Sequence, residues 1–456
     1  MALPDGIILT WYGDDFTGAA AVMEVLTFSG LPAVLFLDTP TPAQIALFPE
    51  VRALGIASTA RTQSPEWMVD NLPSAFTTLN ELSNSIVHYK VCTTLDSSPS
   101  VGSIGKAIEI GAKELDCHCV PVLIAAPQMR RFQFHGHLFA SIDEQTYRLD
   151  RHPVMSQHPV TPIAESDVAL HIGTQTDSVS LGCINIDKIK NAEQALEAIE
   201  ALDRDTVSAL TIDSLDNASE TAAGALIWNA RKPCRFVVGS QGVEYALIRH
   251  WQDQGWLPDA YKEAGIEATD QMAVVSGSVS TITEDQIAWS CNNGFTPIRF
   301  DALATLGTQQ DQHSEITHVV AQAVALIKDK GIPLIYAALG PDDPVFNAVK
   351  SRIQSENLDS HDINRRLGDS LGEVLHQIIQ QTGIKRAVIS GGDTSGYATQ
   401  KLGIFALSAL APTIPGAALF KAHAEGAMDG LELALKGGQM GSHDYFAWVR
   451  DGGGTR

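Results

Sequence analysis

Two turns in the sequence carry residue types that could bind or transfer chemical groups, and each follows a predicted strand. The first, spanning 12–18, places Asp14 and Asp15 directly after the apolar segment 6–11. A carboxylate at a strand end can accept a hydroxyl proton, bind sugar hydroxyls or cap a helix. We expect one of the two to cap the next helix and the other to act in catalysis. The acidic charges exclude a dinucleotide fingerprint, which needs glycines here.

The second turn, spanning 390–396, has the sequence Ser-Gly-Gly-Asp-Thr-Ser-Gly and follows the buried apolar run 387–389. Bare glycine backbone at a helix N-terminus lets anionic oxygens approach N–H groups and the positive end of the helix dipole. This pattern predicts a phosphate cradle, although an ordinary capped turn has the same composition. The residues that we expect to cap a helix starting near Gly396 are Asp393, Thr394 and Ser395.

Two further glycine turns favour a nucleotide site in the same half of the chain. Ser276-Gly277-Ser278 follows another apolar run, and Gly437-Gly438 lies near the end of the sequence. Small hydroxyl residues beside glycine can wrap a phosphate group. A Walker A sequence is absent, because the segment 102–107 has too few residues between its glycines.

Basic residues in the first half are candidates for binding an anion. Arg61 follows the predicted strand 51–57. Lys90 lies inside the apolar strand 86–91, where an ammonium is costly unless Asp14, Asp96 or a substrate anion pairs with it. Helix and strand periodicity fades over 129–161, a stretch rich in arginine and histidine that includes Arg131, and long irregular segments are often functional.

The elements that must position these residues alternate between strands and helices, which predicts α/β domains with mainly parallel sheets. A chain of 456 residues is too long for one ordinary core. We expect a first domain at 1–255, a polar linker at 256–270 and a second domain at 271–456. Ligands should gather at the carboxyl ends of the strands.

Composition limits the partners. The net charge of −22 argues against nucleic acid or an anionic membrane as the main partner. Six scattered cysteines are typical of a reducing cytosol, and no apolar run is long enough to span a membrane. We therefore expect a cytoplasmic protein with a small-molecule ligand. A homo-oligomer is left open.

Taken together and in order, these motifs resemble those of the four-carbon acid sugar kinases, which are two-domain, ATP-dependent enzymes acting on tetronates and related acids. The matching segments cover nearly the whole chain. They are 14–18, Ala60-Arg61, Lys90, Asp96-Ser97, His152-Pro153, Thr161-Pro162, 276–278, 391–396 and 436–441. This sequence departs from the family pattern at Asp393, where glutamate is usual, and at Gly437, Gln439 and Met440.

The resemblance implies a substrate-binding first domain, a nucleotide-binding second domain and an active site in the cleft between them. It also implies ATP contacts, which fall at Ser278, Gly391, Gly392, Asp393, Thr394 and Gly438. Asp393 is the candidate to orient Mg²⁺, and Asp14 or Asp15 the candidate base. Arg61 and Lys90 are expected to bind the substrate carboxylate, with Asp96 and Arg131 as further substrate contacts.

The expected reaction is transfer of the γ-phosphoryl group of ATP to a hydroxyl of 3-oxo-tetronate, threonate or erythronate. Three alternatives remain open at this point. One is a kinase of a branched acid such as 3-oxo-isoapionate. The second is a nicotinamide-dependent dehydrogenase, although this sequence lacks the glycine fingerprint that such enzymes carry after a strand. The third is a two-domain binding or sensor protein without turnover.

Overall fold

The structure is a computed structural model that describes residues 2–142, 144–259 and 264–456, except for the side chains at 192, 193, 200, 361 and 393–395. The chain divides into two compact units, 1–261 and 262–456. Both units are α/β with mainly parallel sheets, so the predicted fold class is confirmed. Among the described residues, no helix combines the length and the apolar character that crossing a membrane requires.

The first unit is built on a parallel sheet whose strands are almost continuous apolar runs. Its strands are β1 Leu9–Gly13, β2 Ala33–Phe36, β3 Ala53–Ala57, β4 Ile86–Lys90, β5 Cys119–Leu123, β6 Arg131–Phe134, β7 His137–Ile142, β8 Gln145–Arg148, β9 Ser180–Ile184, β10 Ser208–Ile212 and β11 Phe236–Gly239. Its helices are α1 Phe16–Phe28, α2 Pro42–Ile45, α3 Pro65–Leu82, α4 Ile104–Glu114, α5 Val168–Gly173, α6 Ile186–Ile189, α7 Ala192–Glu200, α8 Asn217–Ala230 and α9 Gly242–Asp253.

Eight of these strands form the main sheet, in the order β2-β3-β1-β4-β11-β5-β10-β9. Strands β1, β3 and β4 are buried along their whole length, as expected for a sheet covered on both faces. Helix α3 packs one face inward through Met68, Leu72, Phe76 and Leu79, and Ser64 caps its first turn. Because β3, β1 and β4 are neighbours, residues that follow them meet at one edge.

The prediction of an irregular stretch over 129–161 is wrong in part. Strands β6, β7 and β8 form a separate three-stranded antiparallel sheet there. These strands are short and partly exposed, so their alternation is too brief to give a strong periodic signal. Arg131 opens the first of them.

The second unit repeats the strand-and-helix alternation. Its strands are β12 Ala273–Ser276, β13 Phe295–Arg299, β14 Ile332–Tyr336, β15 Arg386–Ser390, β16 Ile404–Ala411, β17 Leu419–Ala424 and β18 Glu432–Lys436. Its helices are α10 Thr281–Cys291, α11 Gln309–Lys328, α12 Pro344–Ser355, α13 Ser360–Thr382, α14 Gly392–Lys401 and α15 Tyr445–Arg450. The order β13-β14-β12-β15-β18 is parallel, and β17 then runs antiparallel to both β18 and β16.

Strands β12, β15 and β18 bring the three glycine turns of this unit together. Ser276 is in register with Ser390, and Ser390 with Lys436. The core beneath them includes Val274, Val388 and Ala434, all of which are fully buried. The turns that follow the three strands therefore share one sheet edge.

Candidate active site

Asp14, Asp15 and Arg61 form one ion-paired group at the carboxyl ends of β1 and β3. The Nε and Nη2 atoms of Arg61 donate to the two oxygens of Asp14 at 3.1 and 2.7 Å, and Nη2 also donates to Asp15 Oδ1 at 2.6 Å. The backbone reinforces the contact, because the Arg61 N–H donates to the Asp14 carbonyl at 2.9 Å. This fork geometry fixes the Asp14 carboxylate in one orientation.

The two carboxylates differ in their other contacts. Asp15 is the N-cap of α1 and accepts the Gly18 N–H at 3.0 Å, so the predicted cap is Asp15. Asp14 is only 2% exposed and has no part in capping the helix. Its carboxylate is therefore the member of the pair that is available for chemistry.

Burial changes the proton affinity of this group. Burial raises the pKa of Asp14, while Arg61 opposes that rise and Asp15 adds to it. Burial alone would lower the pKa of Arg61, but Asp14 and Asp15 raise it well above its usual value. Asp14 is thus a stronger base than a surface aspartate, held by a guanidinium that stays charged.

Lys90 ends β4 next to this group. It is 2% exposed, and its Nζ donates to the Val91 carbonyl at 2.7 Å. A Cβ atom built on Gly18 would lie 2.5 Å from Lys90 Nζ, so glycine leaves the space that the ammonium occupies. Lys90 also lowers the pKa of Asp14 electrostatically. Burying the Lys90 ammonium was expected to be unfavourable unless it is paired, and in the structure it lies beside Asp14 and Asp15.

Cys92 and Asp96 extend the group beyond β4. Thr94 Oγ1 lies 3.0 Å from Cys92 Sγ and 3.4 Å from an Asp96 oxygen. Burial and then Asp96 raise the pKa of the Cys92 thiol, whereas Arg61 and Lys90 oppose the rise. The thiol is therefore close enough to interact electrostatically with Asp96, Arg61 and Lys90. Sequence reasoning missed Cys92, and its only signal was its position two residues after Lys90.

Arg131 contributes a cation with an unused hydrogen-bond donor. Its Nη1 donates to the carbonyls of Met129, Arg130 and Ser141 at 3.0–3.2 Å. Its Nε is buried and has no hydrogen-bond partner among the described residues. Burial lowers the pKa of Arg131, and Cys92 opposes that effect. An unpartnered buried N–H is costly, so this atom is suited to a ligand oxygen.

His152 lies close to Arg131 and was not assigned a role from the sequence. Its pKa is lowered by burial and then by Arg131. Its Nδ1 accepts the N–H groups of Val154 and Met155 at 3.2 and 3.3 Å, so the ring proton is on Nε2. The His-Pro pair at 152–153 was its only sequence signal.

The hairpin that carries Arg131 is anchored by a buried carboxylate, Asp213, at the end of β10. Asp213 accepts the backbone N–H groups of Gly136 at 3.0 Å and Ile186 at 2.9 Å. It also accepts the His135 N–H and the Gln133 side-chain amide. The β6–β7 turn is therefore tied to the edge of the main sheet.

We refer to Asp14, Asp15, Arg61, Lys90, Asp96 and Arg131 as the charged cluster. All six were predicted from the sequence as site residues. In the first unit, Asp14, Asp15, Arg61 and Asp96 follow β1, β3 and β4, Lys90 ends β4, and Arg131 opens β6. The formal charges of these three carboxylates and three cations cancel. The contact of Arg61 with both Asp14 and Asp15 was not foreseen.

The second unit has a glycine cradle made of Ser278, Gly391, Gly392 and Gly438. Helix α14 begins at Gly392, so the prediction of a start near Gly396 is wrong. Gly391 is its N-cap, with a φ of 129° that only glycine adopts readily, and its N–H donates to the Lys436 carbonyl at 2.8 Å. The helix can begin earlier because this glycine makes the turn without a capping side chain.

Gly392 and Gly438 differ in their surroundings. A Cβ atom on Gly392 would meet nothing within 4 Å, whereas one on Gly438 would lie 2.6 Å from Ser278 Oγ. The Gly438 carbonyl accepts the Thr283 hydroxyl at 2.9 Å, which holds the late turn against α10. The side chains of Asp393 and Thr394 lie outside the described residues.

A cavity of 740 Å³ opens beside the glycine cradle, and all four cradle residues line it. Its lining also includes the apolar side chains of Val345, Phe346, Val349 and Leu367. The volume falls in the usual range for a small-molecule site. The backbone and hydroxyl groups of the cradle suit phosphates, and the apolar side chains suit a planar base.

The donors suited to a metal ion are few. No group of three histidine, cysteine or acidic side chains that could hold a metal occurs among the described residues. A magnesium ion here would have to use nucleotide phosphates together with hydroxyl or carboxylate groups, which is how Mg²⁺ usually binds in kinases. The Ser278 hydroxyl at the cradle fits such a partial donor set.

Comparison with known proteins agrees with this division of the chain. Residues 9–247 match the family described as the sugar-binding N-terminal domain. Residues 273–446 match the family described as the nucleotide-binding C-terminal domain. The two matches contain the charged cluster and the glycine cradle, respectively.

Two curated relatives and one solved structure extend the comparison. The chain is 40% identical over 452 residues to 3-oxo-isoapionate kinase from Paraburkholderia graminis, covering 99% of this chain and 96% of the relative. It is 28% identical to 3-oxo-tetronate kinase from Pseudomonas savastanoi, with 96% of each chain covered. A crystal structure described as a putative tRNA synthase from Salmonella typhimurium superposes with a TM-score of 0.78 at 22% identity, covering 97% and 98%. That last likeness shows the fold alone.

Proposed function

The chain belongs to the four-carbon acid sugar kinase family, and we propose that it transfers the γ-phosphoryl group of ATP to a hydroxyl of a 3-oxo acid sugar. One observation carries the proposal. A buried carboxylate of raised pKa, Asp14, is oriented by Arg61 in the unit that matches the sugar-binding domain. A carboxylate beside the attacking hydroxyl can orient that hydroxyl and accept its proton.

We infer that the preferred acid is of the 3-oxo-isoapionate type. The support is the difference in identity, 40% to the relative named for that substrate against 28% to one named for 3-oxo-tetronate, at similar coverage. The main rival is 3-oxo-tetronate itself, followed by threonate and erythronate. All of these acids carry a carboxylate and hydroxyls, so the charged cluster could bind any of them.

In the proposed reaction, Asp14 is the base and Asp15 is structural. The substrate hydroxyl oxygen forms a bond to the γ-phosphorus, the bond from that phosphorus to the bridging oxygen of ADP breaks, and the hydroxyl proton passes to Asp14. Its buried position raises its affinity for that proton. Arg61 keeps one carboxylate edge fixed during the transfer.

The substrate carboxylate is proposed to bind Arg131 and Lys90 instead of Arg61. Arg61 already faces two carboxylates, so that group carries a net negative charge. Arg131 offers the buried, unpartnered Nε atom, and Lys90 brings a second buried cation. Asp96, at the edge of the cluster, is the proposed acceptor for a substrate hydroxyl.

The nucleotide is proposed to bind in the 740 Å³ cavity, with its phosphates at the glycine cradle. Mg²⁺ would neutralise charge on the transferred phosphoryl group when bound. Asp393 is the proposed residue to orient it. The domain roles assigned to 1–255 and 271–456, the linker at 256–270 and an active site in a cleft between the domains remain predictions. Six free thiols support the proposed cytoplasmic location.

An ATP-consumption screen tests the proposal. The purified protein is incubated with ATP, Mg²⁺ and, separately, 3-oxo-isoapionate, 3-oxo-tetronate, threonate and erythronate, and ADP release is measured. We expect the highest kcat/KM with 3-oxo-isoapionate. A preference for 3-oxo-tetronate would overturn the choice of substrate. If acids bind but none of the four causes ADP release, the proposed reaction is wrong.

A further inference from the structure

A lysine beneath the glycine cradle has no role in the mechanism above. Lys436 is the last residue of β18, and its side chain is fully buried. Its backbone carbonyl accepts the Gly391 N–H at 2.8 Å, so it already supports one half of the cradle. The residue is therefore directly bonded to a residue of the glycine cradle.

The ammonium of Lys436 supports the other half of the cradle. Its Nζ donates to the Gly437 carbonyl at 2.9 Å and to Thr283 Oγ1 at 3.2 Å. Thr283 Oγ1 in turn donates to the Gly438 carbonyl at 2.9 Å. Ser280, the N-cap of α10, also bonds to that carbonyl. One network thus joins the strand end, the late glycine turn and the start of α10.

The described side chains supply no opposite charge for this ammonium. No carboxylate among the described side chains forms an ion pair with it, and both of its partners are neutral oxygens. Burial lowers the pKa of Lys436 to about 8. A buried cation without a counterion is expensive, and such groups persist mainly where a ligand supplies the missing charge. A neutral side chain could donate the same two hydrogen bonds, so hydrogen bonding alone does not explain a charged residue at this position.

We propose that Lys436 is a positioning residue for the nucleotide, whose buried charge is balanced by the phosphates of ATP across the Gly437–Gly438 turn. This inference rests on the proposed nucleotide site. Because Lys436 lies under the turn and not in the cavity, it acts through space and through Thr283. Its contribution should grow with the number of phosphate charges on the ligand.

The test compares four ligands, ATP, ADP, AMP and adenosine, by calorimetry without metal. Against wild type, Lys436→Met should weaken ATP binding by about 10- to 100-fold, weaken ADP and AMP progressively less, and leave adenosine within about 2-fold. Lys421→Met, on the exposed face of neighbouring β17, removes the same charge and serves as the matched control. It should change none of the four affinities by more than about 2-fold.

Two conservative variants separate charge from structure. Lys436→Gln keeps a hydrogen-bond donor and loses the charge, so it should behave like Lys436→Met, whereas Lys436→Arg should retain more ATP affinity than either. Equal losses for all four ligands, or full rescue by glutamine, would show that Lys436 only braces the turn and would overturn the inference. If wild type binds neither ATP nor adenosine, the proposed nucleotide site itself is wrong.

Discussion

The charged cluster and the glycine cradle both lie at the carboxyl ends of strands in their units, but they consist of different chemical groups. The cluster consists of ionised side chains that are held by each other, as Arg61 is by Asp14 and Asp15. The cradle consists of backbone, hydroxyls and bare glycine. Side-chain substitutions should therefore change chemistry in the first unit and shape in the second.

The largest expected effect tests the side-chain half of this contrast. Asp14→Asn removes the proposed base, and we expect kcat to fall about 10²-fold or more. In wild type, the acidic limb of the kcat/KM profile should lie above the range usual for aspartate, because burial raises the pKa of Asp14. A steady-state pH profile with ADP detection measures both quantities.

Asp15→Asn is the matched control for this experiment, since it alters the neighbouring carboxylate that also contacts Arg61. We expect kcat to stay within about 10-fold and the free energy of unfolding to fall by less than about 1 kcal/mol, because asparagine caps a helix about as well as aspartate. If Asp15→Asn lost more turnover than Asp14→Asn, the roles of the two carboxylates would be reversed.

An intermediate effect should come from Arg131, whose Nε donor has no partner among the described residues. Arg131→Met removes the buried Nε donor that we assign to the substrate carboxylate, and kcat/KM for the acid should fall about 10- to 100-fold. ATP affinity should not change. A neutral analogue with the carboxylate reduced to an alcohol should show little difference between the two proteins. Equal losses for the acid and the alcohol would place the carboxylate elsewhere.

The smallest effect compares adjacent glycines in the cradle. Gly391→Ala forces a side chain into a φ of 129°, so it should lower the free energy of unfolding by about 1–3 kcal/mol. Gly392→Ala projects into open space beside the cavity, so stability should hold while ATP binding weakens severalfold. Thermal unfolding and calorimetry measure these separately. Similar unfolding temperatures for both variants would contradict the distinction.

Local signals in the sequence were sufficient for much of the fold. Helix α3 has clear local signals, because Ser64 and Pro65 mark its start and its apolar spacing is regular. The short apolar runs at 51–57 and 86–91 were predicted as strands, and the structure has β3 at Ala53–Ala57 and β4 at Ile86–Lys90. Strands β16 and β17 were not predicted, because neither has a sharp local boundary and both depend on pairing with each other.

The candidate site shows the same limit. The sequence identified Asp14, Arg61 and Lys90 as candidates, but it did not predict the ion pair of Arg61 with Asp14, because a contact between residues 47 positions apart leaves no local trace. Cys92 was missed, and His152 was matched to the family pattern but given no role, for a related reason. Their roles depend on charges brought near by the sheet and the hairpin, and single residues carry no such information.

The anchoring of the β6–β7 hairpin has a consequence for evolution of the substrate range. Asp213 holds the turn through the backbone N–H groups of His135 and Gly136, with the Gln133 amide as its one side-chain contact there. Backbone contacts are indifferent to which side chain a residue carries. Mutations at exposed positions of β6–β8 can therefore accumulate while Arg131 stays in place, which makes this hairpin the natural segment to randomise when selecting enzymes for new acids.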